Sequence, residues 1–163
     1  MTCFIAHYES PLGGMTMASD GQAITALWFD GTRKEARYAD GMSATKALPV
    51  FDETHLWLDL YFAGEKPDFI PTLAPSGTSF QQRVWEILLT IPYGKTMSYG
   101  DVARRISSTM SAQAIGGAVG RNPIGIIIPC HRVIGADGSL TGYGGGMERK
   151  RWLLEREGLY LFS

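Results

Sequence analysis

The sequence predicts an α/β chain of two parts, a small mixed domain over residues 1–75 and a mainly helical domain over residues 76–163. Alternating apolar residues on either side of a Gly/Pro turn predict strands near the N-terminus. Apolar residues at helical spacing predict several short helices in the second half. Between the two parts, residues 66–77 contain three prolines, which is typical of a linker.

The N-terminal part begins with a predicted hairpin around a Ser-Pro-Leu-Gly-Gly turn. The strands are expected at residues 4–8, 14–18 and 23–29. A short helix is expected at 32–39. The apolar spacing of residues 50–62 predicts a longer helix, which Gly64 ends.

The C-terminal part is predicted to start with a helix capped by Ser79, with Gln82 as its capping-box partner. Ser98 is expected to cap a second helix over Tyr99–Ile106, and a third follows over residues 111–120. Two short helices joined by a tight turn outline either a helix-turn-helix or an ordinary helical hairpin. The third helix is rich in Ala and Gly, which favours close approach of another backbone, either DNA or a neighbouring helix.

Composition limits the class of protein. With 45% apolar and 19% charged residues, the chain is expected to be globular and to fold around a real core. It has no apolar run of membrane-spanning length and no secretory signal, so no membrane partner is expected. Two cysteines make no disulfide framework, and a reducing cytoplasm is the simpler setting. No Cys/His spacing predicts a metal site, and no cofactor is expected.

The net charge of −1 hides an asymmetry between the two parts. Residues 1–75 sum to −5 and residues 76–163 to +4. A basic second half favours a polyanionic partner such as nucleic acid. Chance scatter over two solvated surfaces explains the charges equally well.

The most informative segment is Ile-Pro-Cys-His-Arg-Val at residues 128–133. A thiol is nucleophilic as the thiolate, and a nearby His or Arg favours that form. An extended chain through Cys130 and His131 would point the two side chains to opposite faces. Direct contact is then not expected, and a kink or a bridging water is needed to couple them.

Two later features are candidates for the same site. A final helix is predicted over residues 148–157, with Gly158 at its end. Glu157 then lies in the last turn, where the helix dipole disfavours an anion, so it is either an acceptor for His131 or a solvated surface residue. The glycine-rich stretch 142–146 carries Tyr143, which suits either a planar ligand or a flexible connector.

The chain resembles the O6-alkylguanine-DNA alkyltransferases, also called methylated-DNA–protein-cysteine methyltransferases. The matching residues run through residues 78–158 in the family's order: Phe80, Val84-Trp85, Pro92-Tyr93-Gly94, Ser98-Tyr99, Gly116-Gly117-Ala118, Asn122-Pro123, Ile128 to Val133, Tyr143, Gly145-Gly146, Trp152-Leu153-Leu154 and Glu157-Gly158. The resemblance implies a ribonuclease-H-like N-terminal domain and a C-terminal winged helix-turn-helix domain. Residues 1–75 match only in length and in general character.

By resemblance, the activity is irreversible repair of O6-alkylguanine, and of O4-alkylthymine, in double-stranded DNA. The lesion is flipped out of the stack because no side chain reaches O6 inside it. The alkyl group then moves to Cys130, and each molecule is consumed once. The family binds DNA through the minor groove, and the protein is expected to act as a monomer.

The resemblance also assigns site residues. Glu157 orients His131, which polarises a water against Cys130. Tyr99 rotates the 3′ phosphate and donates to the departing base, and Asn122 holds the turn before the cysteine. The remaining assignments are Val133, Tyr143, Gly144 and Gly125 around the base, and Ser98, Ala112, Gln113, Gly117 and Arg121 at the DNA.

Three positions depart from the family pattern. Gln113 stands where an arginine usually fills the gap left by the flipped base, so weaker DNA binding or slower flipping is expected. Gly144 replaces a serine found in some members, and Gly125 opens the pocket wall to larger alkyl groups. Three rival functions remain: a lesion-binding protein that no longer transfers, a cysteine hydrolase, and a winged-helix regulator without chemistry.

Overall fold

The computed structural model describes residues 3–32, 44–140 and 142–160, and these divide into two compact units, Met1–Ser76 and Gly77–Ser163. The helix expected at 32–39 lies outside the described residues beyond Thr32. Within the described ranges, no helix is long and apolar enough to cross a membrane.

The first unit contains a four-stranded sheet in the order β3-β2-β1-β4. Its strands are β1 Phe4–Ser10, β2 Gly13–Ser19, β3 Ile24–Phe29 and β4 Ala44–Thr45. The first two form the predicted antiparallel hairpin, with Phe4 opposite Ser19 and Ser10 opposite Gly13. β3 adds antiparallel to β2, whereas β4 adds parallel to β1. The three predicted strands are therefore confirmed.

Helix α1, Pro49–Phe62, packs on β1. Its buried face includes Trp57, Leu58 and Tyr61. Two polar contacts tie it to β1: the Tyr8 hydroxyl donates to Asp59 Oδ1 at 2.7 Å, and His55 Nε2 lies 3.0 Å from the His7 carbonyl oxygen. The predicted helix and its end before Gly64 are confirmed.

The second unit is mainly helical, as predicted. Its helices are α2 Ser79–Leu89, α3 Tyr99–Ile106, α4 Ala112–Gly120 and α5 Met147–Arg156. Ser98 caps α3 as expected, and Ser111, predicted as the first residue of the next helix, is the cap of α4. The predicted cap of α2 is wrong by one residue, because Thr78 forms the capping box with Gln81. Both Thr78 and Ser79 are good caps by residue type, so only the backbone geometry decides between them.

Two features bring distant segments of this unit together. The Trp85 indole N–H donates to the Ala118 carbonyl oxygen at 2.9 Å and joins α2 to α4. Strands β5, Met97–Ser98, and β6, Val133–Ile134, pair in parallel, with Met97 opposite Val133. That short pairing places the start of α3 beside the segment that follows Cys130.

Candidate active site

The chain before the cysteine is a buried, tightly turned segment held by Asn122. The Asn122 amide donates from Nδ2 to the Ile128 carbonyl oxygen at 2.8 Å and accepts from the Ile124 N–H at 3.0 Å. Asn122 is fully buried, so these bonds are made away from water. One side chain therefore fixes both ends of a five-residue stretch, as the role assigned to it by resemblance requires.

The same segment stores backbone strain. Ile126 has φ of 68°, the only positive φ of a non-glycine residue in the described part of the chain. The Ile127 N–H donates to the Gly125 carbonyl oxygen at 2.8 Å across it, which makes a γ-turn. A β-branched residue in this region costs on the order of 1–3 kcal/mol.

Cys130 opens a one-turn 3₁₀ helix, Cys130–Arg132, which the Val133 N–H closes by donating to the Cys130 carbonyl oxygen. The chain is therefore not extended through Cys130 and His131, and of the two alternatives the kink is present. Pro129, at φ −81° and ψ 65°, turns the chain, and the Cys130 N–H bonds to the Ile128 carbonyl oxygen at 2.7 Å. Cys130 is 4% exposed, which keeps its thiol largely shielded from bulk water.

Glu157 is the centre of a buried cluster of donors. His131 Nε2 lies 2.6 Å from Oε2, while Arg132 Nε donates to Oε1 at 2.8 Å and the Gly94 N–H donates to Oε1 at 2.9 Å. Gly94 has φ of 80°, a conformation that glycine adopts without strain. The prediction that Glu157 accepts from His131 is confirmed, and its surface alternative is wrong because the carboxylate is fully buried.

Electrostatics set the charge states in this cluster. Burial alone would raise the pKa of Glu157, but the His131 hydrogen bond and the Arg132 charge outweigh it and lower the pKa to about 2. Burial lowers the pKa of His131, and the bond to Glu157 only partly opposes that shift. His131 is thus a neutral imidazole that donates from Nε2 and leaves Nδ1 as the basic nitrogen.

Arg132 also joins the cluster to the α2–α3 connection. Its Nη1 donates to the Ile91 carbonyl oxygen at 2.8 Å, and its guanidinium lies 5.8 Å from the Tyr93 ring centre. Residues 91–94 therefore contribute a carbonyl, a ring and a backbone N–H to the site. Planar guanidinium groups suit such multiple fixed contacts.

Lys150 on α5 is a second buried cation near the cysteine. Its side chain is fully buried, and Nζ donates to the Val133 carbonyl oxygen at 2.7 Å. Burial lowers the pKa of Lys150 to about 8, and the negative charge of a Cys130 thiolate opposes that shift. Lys150 is not among the residues predicted from the sequence.

The glycine-rich loop lies beside the cysteine. Tyr143 is half-buried, and its carbonyl oxygen accepts from the Gly146 N–H at 2.9 Å. Burial raises the pKa of Tyr143 well above 10, and the negative charge of a Cys130 thiolate adds to the shift. Gly144 is exposed, whereas Gly125 is buried in the turned segment.

Helix α4 presents an open face of small residues. Ala112, Gln113 and Gly117 are exposed, as is Arg121 just after the helix. A Cβ placed on Gly117 or Gly120 would meet nothing within 4 Å. These two glycines therefore face open space and not a neighbouring helix in the described structure.

Tyr99 begins α3, and Ser98 caps that helix with Asp101. A Cβ on Gly116 would lie 3.9 Å from Cε1 of the Tyr99 ring, so the ring packs beside α4. The β5–β6 pairing places Ser98 opposite Ile134. Tyr99 thus lies between the small-residue face of α4 and the backbone just after the cysteine turn.

Comparison with known proteins agrees with this geometry. The family described as the 6-O-methylguanine DNA methyltransferase, DNA binding domain, matches residues 79–159, and the corresponding ribonuclease-like domain matches residues 4–75. The chain belongs to the methylated-DNA–protein-cysteine methyltransferase family. The resemblance inferred from the sequence and the two-domain α/β fold it implied are therefore confirmed.

Close relatives span nearly the whole chain. The methylated-DNA–protein-cysteine methyltransferase of Mycobacterium tuberculosis is 49% identical over 155 residues, which cover 93% of this chain and 92% of that protein. The Haemophilus influenzae protein of the same name is 46% identical over 158 residues, which cover 94% of this chain and 86% of that protein. The crystal structure of M. tuberculosis OGT in complex with DNA superposes with a TM-score of 0.83 at 46% identity, covering 96% of this chain and 92% of that one.

Two residues of this candidate site were not predicted from the sequence, namely Lys150 and Ile126. A signal for Lys150 was present, since Lys150, Leu153, Leu154 and Glu157 follow the i, i+3, i+4, i+7 spacing of one helix face. That spacing places a lysine and a glutamate on the apolar side of α5. No residue-type signal marks Ile126, because the left-handed backbone there is imposed by its surroundings.

The strain at Ile126 can be measured with a matched pair of variants. Ile126→Gly and Ile127→Gly each remove a buried side chain, 0% and 3% exposed in the parent. Only Ile126→Gly also removes the strain of a β-branched residue with a left-handed backbone. Its loss of unfolding free energy should therefore be smaller than that of Ile127→Gly by about 1–2 kcal/mol. Urea denaturation of both variants tests this, and an equal or greater loss at position 126 would contradict the strain.

Proposed function

We propose that the protein repairs O6-alkylguanine, and O4-alkylthymine, in double-stranded DNA by moving the alkyl group irreversibly to Cys130. The family name shows methyl transfer from DNA to a protein cysteine but does not say which cysteine accepts. The observation that carries the assignment is the buried turn in which Cys130 precedes a neutral His131 held on an ionised Glu157. Cys3, the other cysteine, is half-buried in the sheet unit and has no such surroundings.

The reaction is a nucleophilic displacement at the alkyl carbon. Nδ1 of His131 accepts the Cys130 proton through a bridging water, because Nε2 is committed to Glu157. The S–C bond forms as the C–O6 bond breaks, and the bonding electron pair leaves with the guanine, which takes up one proton. The S-alkyl cysteine is a stable thioether from which no further reaction removes the alkyl group, so each protein molecule is used once.

The lesion must leave the base stack for this displacement, since Cys130 lies in a shielded turn. We assign the flipped base to the space between the cysteine turn and the Tyr143 loop, with Tyr143 as a wall. Gly144 offers its backbone N–H to O6, and Gly125 opens the wall to larger alkyl groups. The Cys130 and Val133 carbonyls accept from its exocyclic amine. Tyr99 donates a hydrogen bond as negative charge develops on the base, and the proton that the base takes up balances the one that His131 received from Cys130.

The DNA is placed on α4 and its flanks. The open small-residue face supports entry into the minor groove, with Ser98, Ala112, Gln113, Gly117 and Arg121 at the contact surface. We further propose that residues 76–163 carry the chemistry as a monomer, while residues 1–75 form the separate ribonuclease-like domain. A reducing cytoplasm suits a thiol that must remain unoxidised.

Stoichiometry tests the proposal. With excess duplex containing O6-methylguanine, the amount of restored guanine should rise to one per protein molecule and stop. A 2-aminopurine beside the lesion should brighten when the Cys130→Ser variant binds, because unstacking relieves its quenching. Binding without any restored guanine would favour a lesion-sensing protein, and restoration beyond one per molecule would favour a hydrolase.

The effect of Gln113 has its own prediction. Gln113 is exposed on α4 and lacks the cation and reach of arginine. We expect Gln113→Arg to speed methyl transfer roughly three- to tenfold when the protein concentration does not saturate the DNA. This corresponds to an activation free energy lower by about 1 kcal/mol. Gln22→Arg, on an exposed loop of the first unit, controls for the added charge. Equal single-turnover rates for Gln113→Arg and the parent would contradict the prediction.

A further inference from the structure

Arg132 joins three segments of the second unit that are distant in sequence. It belongs to the cysteine turn, where its backbone N–H donates to the Pro129 carbonyl oxygen at 3.0 Å. Its buried side chain donates from Nε to Glu157 Oε1 and from Nη1 to the Ile91 carbonyl oxygen, both at 2.8 Å. Because the guanidinium is planar and rigid, these bonds fix the end of α5 and the segment after α2 relative to the cysteine turn.

The two oxygens of the Glu157 carboxylate bind different groups. Oε1 accepts from Arg132 Nε at 2.8 Å and from the Gly94 N–H at 2.9 Å. Oε2 lies 2.6 Å from His131 Nε2. The last torsion of a glutamate side chain has no narrow preferred value, so the side chain alone does not fix where its oxygens lie. The donors on Oε1 therefore set the direction in which Oε2 meets the imidazole.

The segment after α2 supports the same arrangement from the other side of the guanidinium. The Tyr93 ring centre lies 5.8 Å from that group, and the Tyr93 hydroxyl donates to the Arg156 carbonyl oxygen at 3.3 Å. Gly94 has φ of 80°, and a Cβ there would lie 3.2 Å from the Glu157 backbone carbonyl oxygen. This segment thus approaches the end of α5 closely, where the carboxylate and the guanidinium meet.

We propose that Arg132 is a positioning residue that fixes the rotation of the Glu157 carboxylate, and through Oε2 the orientation of the His131 ring toward Cys130. The inference rests on the proposed function, in which His131 takes the Cys130 proton through a water. A general base acts only when its nitrogen lies within hydrogen-bond reach of the proton or of a bridging water. A displacement of the ring by about 1 Å is enough to slow such a reaction about a hundredfold.

The alternative role for Arg132 is charge compensation alone. A buried carboxylate needs a positive partner, and any cation of similar reach supplies that charge. Arginine differs from lysine in the geometry of its donors, because a lysine ammonium is a compact charge on a flexible stem. Replacing Arg132 by lysine therefore separates positioning from charge compensation.

The test compares the parent with Arg132→Lys and with the control Arg151→Lys, which changes an exposed residue of α5. The first readout needs no DNA and is the ¹⁵N-edited NMR signal of the His131 ring at neutral pH, identified by its loss in His131→Gln. This signal reports which ring nitrogen carries the proton and how fast that proton exchanges with water. The second readout is the single-turnover methyl-transfer rate beside the dissociation constant for the duplex.

In the parent, the His131 proton should lie on Nε2 and exchange slowly, and Arg151→Lys should match the parent in every readout. In Arg132→Lys, the ring signal should shift and its Nε2 proton should exchange faster. Methyl transfer by that variant should fall about ten- to a hundredfold. Its dissociation constant should be unchanged, because the α4 face is untouched.

A second variant, Gly94→Ala, keeps the Arg132 charge but loosens the other donor to Oε1, and it should also shift the His131 signal. A signal unchanged in Arg132→Lys, or in Gly94→Ala should the lysine variant not fold, would overturn the inference. A proton on Nδ1 in the parent would overturn it too, as would transfer by Arg132→Lys at the parent's rate. If the parent itself transfers no methyl group, the proposed function fails, yet the His131 signals still decide the role of Arg132.

Discussion

Glu157→Gln is expected to cost the folded protein about 3–5 kcal/mol at neutral pH and to slow methyl transfer at least a hundredfold. The carboxylate accepts from three donors, from His131, Arg132 and the Gly94 N–H. A glutamine amide offers one oxygen and turns an N–H toward at least one of those donors. It also leaves the buried Arg132 without its counter-charge, and His131 loses the group that fixes its tautomer.

The pH dependence of this loss has a definite sign. The folded pKa of Glu157, about 2, lies below its ordinary value of 4.5. Its contribution is therefore fully present above the ordinary value and is lost as pH falls toward the folded one. Urea denaturation between about pH 7 and pH 2 should show the gap between parent and Glu157→Gln narrowing on acidification.

Glu148→Gln is the matched control, because Glu148 is exposed in the first turn of α5. Its removal should change the unfolding free energy by less than about 1 kcal/mol, the size of a helix-dipole contact. A Glu157→Gln variant as stable and as active as Glu148→Gln would show that the buried cluster does not organise the site.

Asn122→Ala is the second substitution with a large expected effect. It leaves the buried Ile124 N–H without the acceptor that now satisfies it, and it removes one of the two donors to the Ile128 carbonyl, which keeps the Cys130 N–H. The unpaired N–H costs about 1–3 kcal/mol and the lost hydrogen bond at the carbonyl about 0.5–1.5 kcal/mol, so the unfolding free energy should fall by about 2–4 kcal/mol. The strained turn before Cys130 should loosen, and transfer should slow more than DNA binding weakens, because the α4 face is untouched.

Asn122→Asp separates the two bonds of Asn122. Aspartate keeps the acceptor for the Ile124 N–H, but it cannot donate to the Ile128 carbonyl and brings a buried negative charge. Single-turnover transfer and urea denaturation of both variants should therefore show losses of similar size. Full activity in either variant would contradict the role of Asn122 as the clamp of the cysteine segment.

The residues that we propose to carry the chemistry were predictable because their residue types are unusual in context. One such feature is a cysteine followed directly by His and Arg. Another is a glutamate at the C-terminal end of a helix, where the helix dipole disfavours a negative charge. The structure joins His131 and Glu157 as expected. The helices and the hairpin were predictable from apolar spacing and turn residues alone.

The course of the chain through the cysteine was not predictable from local sequence. The apolar run before Pro129 suits a strand, but Asn122 and the closing bond of Val133 fold it into consecutive turns. Those contacts come from tertiary structure, which overrides local preference. Lys150 was missed for a related reason: lysine is by default a surface residue, and only packing against the cysteine turn buries it.

The assignment of Cys130 as the alkyl acceptor is tested most directly by mass spectrometry. The protein is mixed with a duplex containing O6-methylguanine, digested, and the peptides carrying Cys3 and Cys130 are weighed. We expect a gain of one methylene unit per molecule on the Cys130 peptide alone, and no gain in Cys130→Ser. A methyl group on Cys3, or restored guanine with both cysteine peptides unchanged, would contradict it.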